Sequence, residues 1–486
     1  MKDKYDVVII GAGIGGLVCG CYLAKAGLKV LIVEKNDKPG GYCTSFEKDG
    51  YRFDVGVHYL GGIKRGILGQ ILEELDIKDQ IKFHQFDPTD KIIMPDNITY
   101  IRANPYDTIK EFKKSFPKEK RNIEKFFKFV MQKDFLEIYR KTRKVTFKYV
   151  LDNFFDREEI KDMFSLLSFS NLGLLASKIS ALTVFVLIRQ HVLDPGYTPI
   201  GGVQIFPERL AELFKEKGGE IIFSKEVTKI FTKGKKAEGI IINKEDRIRS
   251  KWVVSNIDAT HTFKKLLRIK PLKEKFLVDK LAISPSSFVL YLGIDPNWKY
   301  RKEIRCARWI LSQGSPFLLK KEDITKKKGI NHMIIYFQNI QKSIPEKEEK
   351  CIVEVTIGVE PTSEKFWKKY KEIFFQKSLS ELEKILPSIR KYIKLKISAT
   401  PYTFYKYTLN KNGAMFGWAS TPTQISSVVF PYYSSVSHLL LTGHWTTIGT
   451  GQGGIPTVAL SGRGTARIII QKNNKEWRYE RISTYL

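Results

Sequence analysis

Residues 5–34 read YDVVIIGAGIGGLVCGCYLAKAGLKVLIVE, and this stretch decides the fold. Tyr5–Ile10 is a continuous apolar run, which is typical of a strand buried on both faces, and Lys29–Val33 is a second such run. Between them, Gly15–Ala26 has helical character and ends at Gly27, a residue type common just after a helix. The pattern therefore predicts a strand–helix–strand unit with a parallel strand pair.

The turn between the first strand and the helix is a GxGxxG motif that contains Gly11, Gly13 and Gly16. In such a turn one glycine allows the sharp bend, one lets backbone approach a pyrophosphate, and one allows close packing of helix on strand. A phosphate then lies against the N–H groups at the helix N-terminus. Glu34 ends the second strand, where a carboxylate accepts ribose hydroxyls and favours a free 2′-hydroxyl. These features predict an FAD or NAD site rather than an NADP site.

The length and charge of the chain limit its possible domain organisation and binding partners. The chain has 486 residues with 43% hydrophobic and 28% charged residues, so we expect two core-forming domains. Lys and Arg number 82 against 52 Asp and Glu, a formal net charge of +30. Because Lys far outnumbers Arg and no nucleic-acid motif occurs, we expect no nucleic-acid partner. An anionic membrane surface and a Lys bias spread over the whole surface both stay open.

Cysteine and histidine patterns indicate neither disulfides nor a metal site. The five cysteines form no CxxC pair, and the seven histidines form no HExxH motif, so we expect no metal and a reducing, cytoplasmic environment. The apolar residues 7–24 behind Lys2 and Lys4 imitate a signal peptide, but the many glycines among them favour the folded unit described above. The most apolar run elsewhere, Ile179–Ile188, is too short to span a bilayer.

Residues Lys110–Lys148 are strongly basic and interleaved with aromatic side chains. One interpretation is an amphipathic helical cap whose Lys face is solvated. The other is a peripheral membrane contact in which Lys meets lipid phosphates and Phe enters the acyl boundary. The second interpretation predicts a cytoplasmic protein that associates with an anionic membrane surface.

The rest of the chain predicts two further groups of strands. One group follows a helix that ends at Gly218, and the other precedes a long helix predicted over Ser363–Leu386. The predicted strands are Glu220–Phe223, Val227–Phe231, Gly239–Ile242 and Trp252–Val254 in the first group, and Phe288–Ile294, His332–Phe337 and Ile352–Ile357 in the second.

Several short motifs in one order carry a resemblance to a known family. Besides the glycine turn they are Pro39–Gly41, Pro199–Gly202, Val253–Asp258, Phe416–Trp418, Gly443–Trp445 and Gly451–Pro456. The chain resembles the FAD-dependent phytoene desaturase, carotenoid isomerase and retinol saturase family of the amine-oxidase-like flavoprotein superfamily. Residues 40–46 and 53–61 look most like a retinol saturase. Desaturases and amine oxidases usually have Arg where this chain has Tyr42, so that contact of the Arg with the cofactor is lost.

The resemblance implies an α/β fold and a set of cofactor contacts. A Rossmann-like FAD-binding domain would be assembled from the discontinuous segments 1–62, 195–262 and 436–472. An α+β substrate-binding, membrane-facing domain would comprise 63–194 and 263–435, followed by a C-terminal tail, 473–486. The implied FAD contacts are Gly11, Ala12, Gly13, Gly15, Gly16, Glu34, Lys35, Gly40, Gly41, Thr44, Val227, Gly443, Gly453, Gly454 and Ile455.

The resemblance further implies an FAD-dependent oxidoreductase acting on carbon–carbon double bonds of a long isoprenoid or polyene, retinoid-like or carotenoid-like. Hydride exchange at flavin N5 would run in the saturase or the desaturase direction. A carotenoid cis–trans isomerase, a flavin amine oxidase and a non-enzymatic FAD-binding prenyl escort protein are the alternatives. Because no second GxGxxG occurs, the electron donor or acceptor would be a separate, unidentified partner.

Two adjacent residues, His58 and Tyr59, are the candidate catalytic residues. Adding or removing hydrogen at a double bond needs a proton relay beside the hydride, and both side chains can donate a proton. Histidine also titrates near neutral pH. The alternative is a packed pair beside the flavin without any proton role.

Overall fold

The computed structural model describes residues 4–132, 134–243, 245–269, 272–314, 316–326, 329–338, 350–426, 432–446 and 454–473. Its strands are β1 (Lys4–Ile10), β2 (Val30–Val33), β3 (Ser45–Lys48), β4 (Tyr51–Asp54), β5 (Phe83–Gln85), β6 (Asp90–Met94), β7 (Asn97–Ile101), β8 (Tyr197–Pro199), β9 (Glu220–Ile222), β10 (Val227–Lys233), β11 (Lys236–Ile242), β12 (Asp246–Ser255), β13 (Ser286–Ile294), β14 (Arg308–Ser312), β15 (His332–Gln338), β16 (Cys351–Val359), β17 (Ile393–Ala399) and β18 (Leu439–Leu441).

Its α-helices are α1 (Ile14–Lys25), α2 (Ile67–Glu74), α3 (Pro105–Ser115), α4 (Lys120–Gln132), α5 (Phe135–Thr142), α6 (Phe147–Phe154), α7 (Glu158–Leu172), α8 (Ala181–Leu187), α9 (Ile205–Glu216), α10 (Ala259–His261), α11 (Lys273–Lys280), α12 (Lys321–Thr325), α13 (Glu364–Ile385), α14 (Ile389–Tyr392), α15 (Pro401–Thr408), α16 (Pro422–Ser426) and α17 (Ile455–Asn473). Every predicted strand and the predicted long helix lie within one of these elements, with ends shifted by a few residues.

The first sheet is built around the opening strand of the chain. Its order is β10-β11-β12-β1-β2-β9, with β18 beside β12, and its pairs are parallel except for those between β10, β11 and β12. Val7 and Ile9 pack into one hydrophobic cluster, while Val8 and Ile10 pack into another on the opposite face. This burial on both faces explains the unbroken apolar run. The expected discontinuous Rossmann-like domain is confirmed.

The helix after the glycine turn is buried between the sheet and the C-terminal helix. All but Tyr22 and Lys25 of the α1 residues are buried, which explains its lack of a polar face. It packs on α17 so closely that a Cβ at Gly462 would lie 2.4 Å from the carbonyl oxygen of Gly15. Beyond the predicted domain boundary at 262, Phe263 and Val278 also pack into the core of the first sheet.

The second sheet has the order β17-β13-β16-β15-β14-β6-β7 and is antiparallel apart from the β14–β6 pair. One face packs on α13, where the ring of Phe288 lies 5.3 Å from Trp367 and 4.9 Å from Phe374. Because side chains alternate along a strand, Val289 and Tyr291 point to the other face. That face looks toward the first sheet and forms one wall of the main cavity.

The basic segment Lys110–Lys148 forms helices α3–α6 and contributes to a separate hydrophobic cluster. Phe112, Phe126 and Phe127 are buried, and the Phe126 ring lies 4.8 Å from that of Phe164. The expectation that these Phe side chains enter a lipid boundary is therefore wrong, because they form the interior of the helical cap. Among the described residues, no helix combines the length and the apolar character needed to cross a bilayer.

Candidate functional site

One cavity of about 750 Å³ connects the two sheets. Gly11 and Gly13 after β1, and Glu34 after β2, line it on the side of the first sheet, and Ile334 and Thr356 of the second sheet line it on the other side. A volume of this size is in the range of small-molecule and cofactor sites. The glycine turn and the interior of the second domain thus share a continuous space.

The glycine turn is held in a backbone geometry that side chains would disrupt. Gly11 has φ +95°, in the region that glycine adopts without strain. A Cβ at Gly16 would lie 2.2 Å from the carbonyl oxygen of Gly11. The same oxygen accepts a hydrogen bond from Asn256 Nδ2 at 3.2 Å. Asn256 comes from the Val253–Asp258 motif and lines the cavity beside the turn.

The Glu34 carboxylate lies where the second strand ends. Its Oε2 accepts a hydrogen bond from the Ala12 backbone N–H at 2.7 Å, and its Oε1 accepts one from the Asn36 N–H at 2.8 Å. Burial raises the pKa of Glu34, whereas these hydrogen bonds act in the opposite direction. The Lys225 N–H donates to the Glu34 carbonyl oxygen at 3.0 Å, which brings Val227 to the same end of the cavity.

The side-chain amide of Gln204, the residue just before α9, holds the loop that follows the second strand. Gln204 Oε1 accepts hydrogen bonds from Thr44 Oγ1 at 2.6 Å and from the Ser45 N–H at 3.0 Å. Gln204 Nε2 donates to the Pro39 carbonyl oxygen at 3.1 Å. Sequence reasoning missed Gln204, although it lies two residues after the Pro199–Gly202 motif. The amide fixes the course of a loop whose residues Gly40, Gly41, Tyr42 and Thr44 line the cavity.

The C-terminal part of the chain completes the cavity wall. Gly443 has φ +83°, and a Cβ there would lie 2.6 Å from Asn256 Oδ1. Gly454 and Ile455, at the start of α17, also line the cavity. Gly453 lies outside the described residues.

A line of polar side chains crosses the cavity face of the second sheet. The register pairs Tyr291 with Glu354, Glu354 with Tyr336, Tyr336 with Arg308, and Arg308 with Asp90. We call these five residues the polar row. Side chains that pair directly across strands lie on the same face, so the row runs through five neighbouring strands.

His58 lies over the centre of the polar row. Its Nε2 is 2.9 Å from Glu354 Oε1, and its ring stacks on Tyr336 with the centroids 4.9 Å apart. Thr356 Oγ1 donates a second hydrogen bond to the same Glu354 oxygen at 3.2 Å. Both His58 and Glu354 line the cavity. An imidazole oriented by a buried carboxylate is an arrangement able to hold and transfer a proton.

Tyr59 lies over the other end of the row, and its hydroxyl is fully engaged. It donates to Asp90 Oδ2 at 3.0 Å and accepts from Arg308 Nη2 at 2.7 Å. Burial raises the pKa of Tyr59, and the Arg308 charge acts against that rise. Because its proton already bonds Asp90, Tyr59 is a weaker candidate for proton transfer than His58, and the geometry favours a role in fixing Arg308.

The comparisons with known proteins agree with this architecture. The family model described as flavin containing amine oxidoreductase matches residues 14–470. The chain belongs to this flavoprotein family. Chloroplastic prolycopene isomerase 1 of an Oncidium hybrid cultivar is 29% identical over 452 residues, which are 85% of this chain and 75% of that protein.

Two further relatives of the flavoprotein span different shares of the chain. The all-trans-retinol 13,14-reductase of Danio rerio is 24% identical over 334 residues, 61% of this chain and 55% of that protein. The crystal structure of an oxidoreductase from Methanosarcina mazei has a TM-score of 0.68 at 18% identity, over 96% of this chain and 100% of that one. The latter shows the shared fold.

FAD is the cofactor of the family, and the residues at the first end of the cavity fit it. Within the described residues no side chain caps the first N–H groups of α1, so they are available to a pyrophosphate. Glu34 Oε2 accepts only one hydrogen bond within the described residues, so it has a lone pair for a ribose hydroxyl. The loop that contains Gly41 lies close to the glycine turn, because a Cβ at Gly41 would be 3.4 Å from Gly13 Cα.

The structure brings most of the predicted contacts together, whereas their roles stay predictions. Two of them lie outside the cavity lining: Ala12 is buried and bonds Glu34, and Gly16 packs against Gly11. The predicted residues that line the cavity are Gly11, Gly13, Gly15, Glu34, Lys35, Gly40, Gly41, Thr44, His58, Tyr59, Val227, Gly443, Gly454 and Ile455.

Asp54, the last residue of β4, is a buried carboxyl group whose pKa is raised. Burial raises its pKa to about 7, the Ser45 hydroxyl bond lowers it, and the nearby Glu354 carboxylate raises it. Because the unfolded carboxyl has a pKa near 4, the folded protein binds the extra proton between roughly pH 4 and 7, and stability falls as pH rises through that window. We expect the Asp54→Asn variant to be more stable than the parent by roughly 2–4 kcal/mol at pH 8 and by little at pH 4.

Denaturant unfolding of the FAD-loaded protein at the two pH values measures this difference. The Asp96→Asn variant is the matched control, because Asp96 is exposed and the same charge is removed. Equal stabilisation of the Asp54→Asn variant at both pH values would contradict the argument.

Among the described residues, no group of three or more His, Cys, Asp or Glu side chains is placed to hold a metal ion.

Proposed function

We propose that the flavoprotein acts on carbon–carbon double bonds of a long polyene, as a saturase or a desaturase. The observation that carries this proposal is the single cavity that runs from the glycine turn to the His58–Glu354 pair between largely apolar walls. A long isoprenoid chain needs a site with largely apolar walls. The names of the two curated relatives, a prolycopene isomerase and a retinol reductase, support a polyene as the substrate.

The protein's own residues supply binding and the proton. When bound, FAD supplies a hydride donor or acceptor at its N5. With Nε2 held by Glu354, His58 presents Nδ1 as the nitrogen that exchanges a proton with the neighbouring carbon. We expect the apolar walls to keep water away from the reacting bond when the substrate is bound. The Tyr42 hydroxyl donates to the Ala414 carbonyl oxygen at 3.0 Å, so this side chain fixes the wall where other family members usually have Arg.

Anaerobic incubation of the purified holoprotein tests the proposal. Phytoene, a coloured carotene and retinol are each mixed with the oxidised and with the reduced protein, and the mass and geometry of the product are determined. A gain of two hydrogens indicates a saturase, a loss of two a desaturase, and a change of geometry alone the isomerase suggested by one relative's name. No product from any polyene, with full turnover of an amine, would overturn the proposal.

Contact with an anionic membrane is the second part of the proposal. A long isoprenoid dissolves in lipid, and the surface of α3–α6 combines exposed Lys125 and Lys128 with exposed apolar side chains. The exposed fractions are 65% for Tyr106, 56% for Leu136 and 59% for Tyr149. Lys near lipid phosphates and these side chains at the headgroup boundary are the elements of a peripheral contact.

We expect a variant carrying Leu136→Glu and Tyr149→Glu to lose most of its cosedimentation with vesicles rich in phosphatidylserine. Each basic residue near such a surface contributes about 1 kcal/mol, so Lys125→Glu with Lys128→Glu is expected to weaken binding at least tenfold. Phe276→Glu is the matched control, because Phe276 is 67% exposed on α11, outside this basic segment. Unchanged sedimentation of both variants would remove the membrane from the proposal.

A further inference from the structure

A guanidinium forms part of the cavity wall at the end of the polar row. Arg308 lines the cavity although only 5% of the residue is exposed. Its Nε donates to Asp90 Oδ1 at 2.9 Å, and its Nη2 lies 2.8 Å from Asp90 Oδ2. Nη2 is also 2.7 Å from the Tyr59 hydroxyl and 3.0 Å from Asn171 Oδ1. The side chain is thus held in one orientation by three neighbours.

The hydrogen bonds of Arg308 are unevenly distributed. Three acceptors share the two N–H groups of Nη2, and Asp90 takes the N–H of Nε. Within the described ranges, Nη1 makes no hydrogen bond, so two of the five guanidinium donors have no protein acceptor. Nη1 is not fully buried and Arg308 lines the cavity, so these two donors are accessible to an oxygen atom of a bound ligand.

The local charge shows what kind of acceptor suits this site. Burial lowers the pKa of Arg308, but the facing Asp90 carboxylate and Tyr59 raise it, so the guanidinium stays charged and is neutralised by Asp90. The neighbouring His191 is neutral, because burial and then the Arg308 charge lower its pKa to about 4. With the charge already balanced, the unused donors suit any oxygen with lone pairs, whether neutral or anionic.

The cavity that Arg308 lines also has apolar side chains that suit hydrocarbon. Leu187 and Ile334 line the same cavity and are almost fully buried. A ligand that satisfies both features has an apolar body and one oxygen-bearing end.

We propose that Arg308 binds an oxygen atom at one end of the polyene, so that the substrate is a polyene alcohol, aldehyde or acid rather than a pure hydrocarbon. The inference rests on the proposed function, because it concerns the same substrate. Arg308 would bind the oxygen-bearing end of the polyene, and His58 would lie beside the double bond that reacts. Anchoring one end also determines which double bond lies beside the cofactor, so Arg308 is a specificity-determining residue.

Binding to the oxidised holoprotein tests the inference without turnover. The probes are retinol and the hydrocarbon in which its terminal CH2OH is replaced by CH3, and binding is followed through the flavin absorbance. We expect retinol to bind about 10- to 100-fold more tightly, the worth of a hydrogen bond to a charged group. Retinal and retinoic acid then show which oxygen is preferred. Equal binding of retinol and its hydrocarbon analogue would overturn this inference but not the proposed function. Failure of every polyene to bind would overturn both.

Variants assign the preference to the side chain. Arg308→Met combined with Asp90→Asn removes both charges together, and we expect it to bind the two probes equally while the affinity for the hydrocarbon stays the same. Arg308→Lys retains a cation and is expected to keep part of the preference, which decides the matter if the double variant does not fold. Arg305→Met, at an exposed position three residues away, is the matched control and is expected to keep the full preference. An undiminished preference in the double variant, or in Arg308→Lys where the double variant does not fold, would overturn the inference.

Discussion

The Gly16→Ala variant is expected to be purified without flavin. A Cβ at this position would lie 2.2 Å from the Gly11 carbonyl oxygen and 2.9 Å from Asn256 Nδ2. The first of these neighbours is backbone and cannot move without changing the turn that is predicted to contact the pyrophosphate. Overpacking of this kind costs about 1–3 kcal/mol or more, so we expect the affinity for FAD to fall by about 10- to 100-fold or more. The absorbance of the purified protein and a titration with added FAD measure this loss.

The matched control is Gly329→Ala, because no described residue places an atom within 4 Å of a Cβ at that exposed glycine. It is expected to bind FAD as the parent does. Circular dichroism and thermal unfolding of both apoproteins separate a loss of binding from a loss of folding. Full flavin occupancy of the Gly16→Ala variant would contradict the assignment of the turn to the pyrophosphate.

The glycine turn was predictable because its chemistry is local. Its glycines, Glu34 and the two flanking strands lie within thirty residues, and each is required by backbone geometry or by a ribose. The parallel strand pair and the discontinuous sheet followed from that unit and from the resemblance. Asn256 was partly signalled by the polar residues at the end of β12, but its bond to the Gly11 oxygen needed the fold.

The polar row was not predictable from the sequence, because its members come from five strands. Glu354 is one acid inside an apolar strand, a signal that marks a buried carboxylate without naming its partner. Arg308 begins β14 and pairs with Asp90, more than two hundred residues earlier, through strand register alone. For the same reason His58 and Tyr59, adjacent in sequence, could not be told apart until the register placed one on Glu354 and the other on Asp90.

The basic segment shows how composition misleads when burial is unknown. Lys and Phe alternate there in a pattern that fits a membrane surface, but the same pattern fits helices with one buried aromatic face. The structure places Phe112, Phe126 and Phe127 in the interior. Only exposed side chains such as Leu136 can then contact lipid, and their sequence positions carry no special signal.

The His58→Gln variant is expected to lose about 100- to 10,000-fold in the rate of polyene turnover, the usual contribution of a positioned proton donor or acceptor. Glutamine can still hydrogen-bond Glu354 across the 2.9 Å contact, so the shape of the wall is kept while the exchangeable proton is lost. Single-turnover mixing of polyene with the holoprotein measures the rate. The affinity for the polyene, measured separately, is expected to be unchanged.

Two further variants show whether the loss is chemical. Glu354→Gln keeps the size of the side chain and removes the charge that orients His58, so we expect a smaller loss of rate than in His58→Gln. His438→Gln, in which the altered ring packs on Trp252 outside the cavity lining, is expected to turn over like the parent. If His58→Gln keeps the parental rate, the proton must reach the substrate from another group or from water. The His58–Glu354 pair would then only pack within the polar row. The proposed function would rest on the apolar cavity alone.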